Sequence, residues 1–427
     1  MGSNRGHGRA LPFVVMLMVV VAGGAHAQDS VSGPLFVSSA GSLAPALKEL
    51  LARFTREHPA VQPRQESGGS VEAARRARNP ASVPDVLGVA DYALIPMFLV
   101  PAHVVWYATI AGNAMELACS PRSRVAHDID ARNWPDVLLR PGVRTWRADP
   151  SLDPGAYRVV LIYRLAERFY RRPGLAALLE RAAPIQSVQP GHDPYAQLEA
   201  GDVDCLWTYR SQVQSRRVPF VTLPPELDLG DSSRADWYAG TSVRIAREIG
   251  GRDSIEIRGE PIRYGLTIPT AAPHPATALA FVQLVLGSTG RDVLRQYGFV
   301  VPERADARGP GPLPSALSDL VRWVADGDSR FVPDTAAAHY VGRIVTIEGV
   351  IANVRIAAHR HVAYLNFGAA YPHQTLSAFV PDTVWQRFGD LTKWQGKRAR
   401  VTGEVWLQDG RWPAVTVTDP ARLVEVR

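Results

Sequence analysis

A chain of 427 residues with 46% hydrophobic and 21% charged residues is long enough for two or three domains and apolar enough to bury a core, which excludes a disordered or fibrous protein. Its net charge of +6 is small for this length; it suits an anionic ligand but is no nucleic-acid signature by itself. The basic residues are almost all arginine, Lys48, Lys393 and Lys397 being the only lysines, which reads as a coding bias rather than chemistry.

At the N-terminus, Arg5 and Arg9 precede an apolar run at residues 11–22 that is too short to span a membrane comfortably. Ala25-His26-Ala27 then fits the small-x-small cleavage pattern of a signal peptide, with Gln28 as the first mature residue. No cysteine follows the run, so no lipid anchor is expected, and no later stretch is apolar enough to cross a bilayer. Export permits a disulfide between Cys119 and Cys205, but each sits in a strand-like apolar run and two buried thiols fit equally well. The chain has no CxxC, HExxH or GxSxG, so the commoner redox, metalloprotease and serine-hydrolase signatures are missing, and neither catalysis nor a cofactor is expected.

Residues 35–38 read as a buried strand, followed by a helix with Leu43, Leu47, Leu50, Leu51 and Phe54 on one face and Ser42 at the N-cap position. A second serine-led helix starts at Ser70 after Gly68-Gly69, and residues 85–89 read as a strand. A longer helix spans about 155–171, with Tyr157, Leu161, Leu165 and Phe169 as its stripe. Strand-like runs recur at 115–119, 204–209 and 262–268, and a further helix covers 273–298. This alternation predicts an α/β fold with a mainly parallel sheet, whose ligand clefts lie where strands end and helices begin. A Gly/Pro-rich stretch from residue 305 reads as a linker. Beyond it five candidate strands (344–351, 362–367, 376–380, 398–405, 414–417), with a helical segment at 382–394 after the third, match the order of an OB-fold barrel.

Three helix starts carry the candidate chemistry: Ser42 after Ala40-Gly41, Ser70 after Gly68-Gly69, and Asp153 before Pro154-Gly155. Unpaired N–H groups at a helix start attract anions, and a preceding glycine lets a ligand approach the backbone. Each residue alone has a plainer reading as an ordinary cap. Arg75, Arg76 and Arg78 could steer anions but read more simply as a solvated face.

The strings Ala40-Gly41-Ser42-Leu43, Glu66-Ser67-Gly68-Gly69-Ser70-Val71 and Ala90-Asp91-Tyr92-Ala93-Leu94-Ile95-Pro96 resemble the archaeal-type molybdate/tungstate-binding proteins of ABC importers. The same order continues through Asn133-Trp134, Asp153-Pro154-Gly155-Ala156-Tyr157-Arg158, Tyr209-Arg210-Ser211 and Ala272-Pro273-His274-Pro275, so the resemblance covers roughly residues 33–303. It implies two α/β lobes of the type II periplasmic-binding-protein fold closing on the ligand, lobe 1 from about 33–112 and 240–304, lobe 2 from 113–239. Beyond the lobes, composition and strand order place a linker at 305–329 and an OB-like barrel at 330–427. By the same resemblance, Gly41, Ser42 and Ser70 would bind oxyanion oxygens from lobe 1; Asp153, with Pro154 and Gly155, would approach from lobe 2, either bonding molybdenum or tungsten directly or accepting a proton from a protonated oxyanion. A tyrosine past the second crossover also belongs to the family site, and Tyr238 is the candidate, with packing beside Trp237 as its plainer reading.

The sequence departs from the family where a Glu is expected before Tyr209: Thr208 stands there, able to donate a hydrogen bond but not charge. The family cysteine after Asp-Pro is replaced by Gly155. The implied partners are a molybdate or tungstate oxyanion and the membrane permease subunits of an ABC importer, with an oxyanion sensor signalling through the barrel as the alternative and phosphate as an alternative ligand. The protein is expected to be a periplasmic or secreted monomer. In the barrel, Tyr364, Phe367, Phe379, Trp406 and Trp412 could form a stacking platform, although strand alternation places most of them in the core, and no nucleic-acid partner is expected of an exported chain.

Overall fold

The computed structural model describes residues 1–2, 31–100, 102–186, 194–251, 254–309, 311–324, 332–342 and 344–426. Apart from residues 1–2, the signal peptide expected over residues 1–27 lies outside the described residues. Among the described residues no helix is long and apolar enough to cross a membrane.

The strand Gly33–Ala40 lies deep in a seven-stranded sheet because Leu35 and Val37 are fully buried. It pairs in parallel with Val61–Gly68 on one side and Val86–Val89 on the other. Helix Ala44–Glu57 covers this sheet with Leu47, Leu50, Leu51 and Phe54, one face at the expected spacing. The sheet is mixed rather than mainly parallel: Arg263–Thr267 inserts antiparallel between Val86–Val89 and Tyr107–Gly112. That insertion is where the chain returns from the second half of the fold. The expected helix over 273–298 is two helices, Pro275–Leu286 and Ser288–Gln296, separated by Gly287 in an extended conformation.

The second half is built on Met115–Cys119, which lies antiparallel between Cys205–Tyr209 and Phe220–Val221. Helix Pro154–Phe169 buries Tyr157, Leu161 and Leu165, whereas Phe169 at its end is exposed. The crossovers between the halves run side by side: Met115 N–H donates to the Asp228 carbonyl and Ile262 N–H to the Leu229 carbonyl, both at 2.8 Å. Cys119 and Cys205 face each other across the ladder and are joined by a disulfide, the first of the two readings left open by sequence.

Two expected boundaries are corrected. The hairpin Ser242–Ala246 and Ser254–Arg258 does not join the first sheet, as a lobe boundary at 240 requires; it packs on helix Pro154–Phe169, where Arg164 Nη1 donates to the Ser242 carbonyl. The return to the first half therefore comes at about residue 262. The stretch expected as a linker supplies two strands: Ala305–Arg308 pairs with Tyr107–Gly112, and Val321–Trp323 pairs with Ala305–Arg308. Gly and Pro nearby read as a linker, but Ala305 and Ala307 are small enough to bury at the sheet edge.

The C-terminal region closes into a five-stranded barrel. Ile344–Ala357, Val362–Phe367, Leu376–Pro381, Trp412–Thr416 and Arg398–Gln408 follow one another around it, and the last pairs back with the first. Closure removes the exposed edges that an open sheet of this size would present. Ile347, Ile351, Leu365, Phe367, Leu376, Val380, Val401, Val405 and Val415 fill its interior. Of the five aromatics considered for a stacking platform only Phe367 is core; Tyr364, Phe379, Trp406 and Trp412 are half-buried.

The disulfide spans 86 residues, so it removes a long loop from the unfolded chain. Replacing Cys119 and Cys205 by serine together is expected to cost about 2–5 kcal/mol. Thermal melts of parent and double variant check this; coincident melts would show that the bond adds nothing.

Candidate functional site

Asp153 is the N-cap of helix Pro154–Phe169, and its carboxylate accepts the Gly155 N–H at 2.7 Å. Pro154 follows as the first helical residue, where its missing N–H costs nothing. The backbone N–H groups of Ala156 and, from the first half, Ser70 also bear on the same carboxylate. One negative side chain thus lies at the start of a helix from each half. Asp153 keeps some surface exposure along the cleft. Desolvation by the surrounding protein nonetheless pushes its carboxyl pKa up, against the lowering effect of those N–H groups. The fit is close: a Cβ at Gly69 would lie 2.4 Å from the Leu152 carbonyl oxygen, and one at Gly155 would lie 2.8 Å from Asp153 Oδ1.

One turn along the same helix sits a residue to which the sequence pattern assigns no role. Arg158 is 2% exposed and reaches across the cleft. Its Nη1 donates to the Ala90 carbonyl at 2.9 Å and to Tyr209 Oη at 2.7 Å, and its Nη2 lies 3.4 Å from Asp91 Oδ2. Tyr157 donates to the same Asp91 oxygen at 2.5 Å. The Ala-Asp-Tyr-Ala-Leu-Ile-Pro string therefore supplies the first half's counter-charge to an arginine of the second. The signal was present in the Tyr157-Arg158 pair, but helical periodicity gives no reason for a charge on a buried face.

Ser42 is buried, yet it is not the cap that its position suggested: the helix begins at Ala44, and Ser42 Oγ bonds Tyr264 Oη at 2.8 Å. Tyr264 also receives Asn113 Nδ2 at 3.2 Å, and Asn113 in turn donates to Ser211 Oγ at 2.8 Å. Ser70 is the first helical residue, and its hydroxyl accepts the Ala90 N–H at 3.0 Å. Gly41 is exposed and its N–H donates to the Gly68 carbonyl at 3.1 Å. Burial pushes the phenols of Tyr209 and Tyr264 up, so both stay protonated and can donate.

Two expected site residues point elsewhere. Thr208 and Tyr209 alternate across their strand; Tyr209 faces Arg158, so Thr208 faces away, bonded to Tyr195 Oη and Gln212 Oε1. Tyr238 is fully buried, with its hydroxyl donating to the Pro225 carbonyl, the packed aromatic of its plainer reading. The tyrosine just past the second crossover is instead Tyr264, whose ring lies 5.9 Å from that of Tyr209. A lobe boundary at 240 points to Tyr238, whereas a crossover near 262 brings Tyr264 to that place.

Residues 35–300 match the family of bacterial extracellular solute-binding proteins. The chain belongs to this family. An uncharacterized solute-binding protein of Petrotoga mobilis is 33% identical over 287 residues, which covers 67% of this chain and 89% of that one. The molybdate/tungstate-binding protein WtpA of Pyrococcus abyssi is 27% identical over 341 residues, covering 73% of this chain and 96% of its own. Among solved structures, the periplasmic molybdate-binding protein of Azotobacter vinelandii aligns with 63% of this chain and 99% of its own, at 17% identity and a TM-score of 0.45. The solute-binding family match ends before the barrel.

A carboxyl whose pKa is raised by folding holds its proton more tightly folded than unfolded. Its ionisation therefore removes stability as pH rises from the ordinary carboxylate range, about 4, through the raised value. Asp153→Asn cannot ionise. The ligand-free variant is expected to melt above the parent at neutral pH, with the gap closing as pH falls towards about 4. Melting curves across pH check this; a gap that widens on acidification would reverse the assignment.

Proposed function

We propose that this solute-binding protein captures an oxyanion, molybdate or tungstate first, and delivers it to the membrane permease subunits of an ABC importer. It would act as an exported monomer in the periplasm or outside the cell, and no catalytic step is assigned to it. The supporting observation is Asp153: a carboxylate lies at the start of helix Pro154–Phe169 while Ser70 N–H reaches it from the other half. The solute-binding family and the similarity to the molybdate/tungstate-binding protein of Pyrococcus abyssi support the same reading.

Helix starts favour anions, and Ser70 and one hydroxyl of the Ser42–Tyr264 pair, the other being used within the pair, add donors near that point. A carboxylate facing a bare dianion is repulsive, so it needs a compensating role. Molybdenum and tungsten can expand their coordination and accept it as a ligand; sulfur in sulfate cannot. With Thr208 turned to Tyr195 and Gln212, Asp153 is the single carboxylate proposed to bond the metal. Capture stabilises the closed arrangement to the extent that the ligand binds it better than the open one.

Calorimetry of the mature protein against molybdate, tungstate, phosphate and sulfate tests the assignment. Binding of the group-six oxyanions, lost or weakened in Asp153→Ala, is expected; tight sulfate binding without them would overturn it. Gly69→Ala gives a second test, since its backbone is extended and tolerates a side chain, but the added Cβ would strike the Leu152 carbonyl in the closed arrangement. Affinity is expected to fall at least about tenfold, roughly 1.4 kcal/mol, with the far-ultraviolet circular dichroism unchanged. Parent-like affinity would mean that the Gly69–Leu152 contact is not made in the bound state.

A further inference from the structure

We infer that Arg75 and Arg78 form a clasp, remote from the oxyanion, that ties closure of the two halves to the seat of the C-terminal barrel. Helix Ser70–Arg76 starts against Asp153, and its last turn carries Arg75. Arg75 is 7% exposed, so it is not part of a solvated face. Its Nε donates to the Arg247 carbonyl at 3.0 Å, Nη1 to the Ser151 carbonyl at 2.9 Å, and Nη2 to the Ala246 carbonyl. All three acceptors belong to the second half. Arg78 Nη2 lies 2.8 Å from both carboxylate oxygens of Glu248. Ala246 N–H donates to Ser151 Oγ at 3.0 Å, fastening the hairpin turn to the segment two residues before Asp153.

The same turn holds the barrel. The Arg247 side chain pairs with Glu404 on the barrel strand Arg398–Gln408. Barrel and hairpin also meet at Gly342, where a Cβ would lie 3.6 Å from the Glu256 backbone nitrogen. Residues 246–248 thus touch the first half through Arg75 and Arg78, the second through Ser151, and the barrel through Arg247. Charge-assisted bonds of this kind are lost together when the halves part, because a buried guanidinium must then find water instead. Anything that moves the turn changes both the closed state and the barrel's footing, and such coupling acts equally in both directions.

The clasp rests on the reading that the halves close on an oxyanion, so its test has one arm without ligand and one with it. In the first, amide hydrogen exchange is followed in the ligand-free full chain of parent, Arg75→Ala and the rim variant Arg78→Ala, which guards against misfolding of the buried change. Exchange is expected to quicken both in the hairpin and in the barrel strand Arg398–Gln408; quickening confined to the hairpin would overturn the coupling. In the second, tungstate release is timed by tryptophan fluorescence in Arg247→Glu, Glu404→Arg and the charge-swapped double variant. Each single change is expected to speed release about threefold or more with little effect on association, and the swap to restore it to within about twofold. Parent-like release in the singles, or a swap no better than either, counts against the clasp. A parent that binds none of the oxyanions would sink the proposed function and leave the exchange arm to decide the clasp.

Discussion

A guanidinium taken out of water must be matched, and Arg158 is matched only when the two halves meet. Within its own half it has Tyr209; the Ala90 carbonyl and the Asp91 carboxylate come from the other. The penalty for burying an unmatched ion is several kcal/mol, so burial of Arg158 and closure of the cleft are one event. Asp91 is itself held in place, since its second oxygen accepts the Ala93 N–H at 3.0 Å at the start of helix Leu94–Phe98. Tyr157, one residue before Arg158, completes the carboxylate's shell.

This pairing decides what is left for a ligand. Arg158 is neutralised by Asp91, so it offers little net charge to an incoming anion. Asp153 makes no ion pair among the described residues; backbone N–H groups meet it, and the Arg158 charge acts on it only through space. On the proposed reading, an incoming dianion would meet a carboxylate and neutral hydroxyl and backbone donors. A site with that balance disfavours an anion that can only accept hydrogen bonds. It favours one whose central atom takes a further oxygen ligand, or one that brings its own proton.

The fold was largely legible because it rests on signals that repeat. The stripe of Leu47, Leu50 and Phe54 and the five apolar strands of the barrel each reflect a period of burial that survives in the sequence. Asp153 was legible because a cap followed by proline is a local pattern. Tyr264 and Thr208 were not, because their roles depend on strand register and on where the chain crosses between halves. Moving the second crossover by about twenty residues replaces one tyrosine with another, and a single step of strand alternation turns Thr208 away from the cleft. Arg158 escaped for a different reason: its partner lies in the other half of the fold, and no local spacing encodes that distance.

The arginine-rich composition also reads differently once the contacts are known. Arg75 satisfies three backbone carbonyls at once, on residues 151, 246 and 247. A lysine offers a single point charge on a flexible stem and cannot span three acceptors held in a plane. Arg158 likewise contacts a carbonyl, a phenol and a carboxylate from one planar group. Coding bias can supply arginine everywhere, but at these two positions the geometry requires it. Both residues also sit where one half meets the other, so a single forked side chain joins the two surfaces.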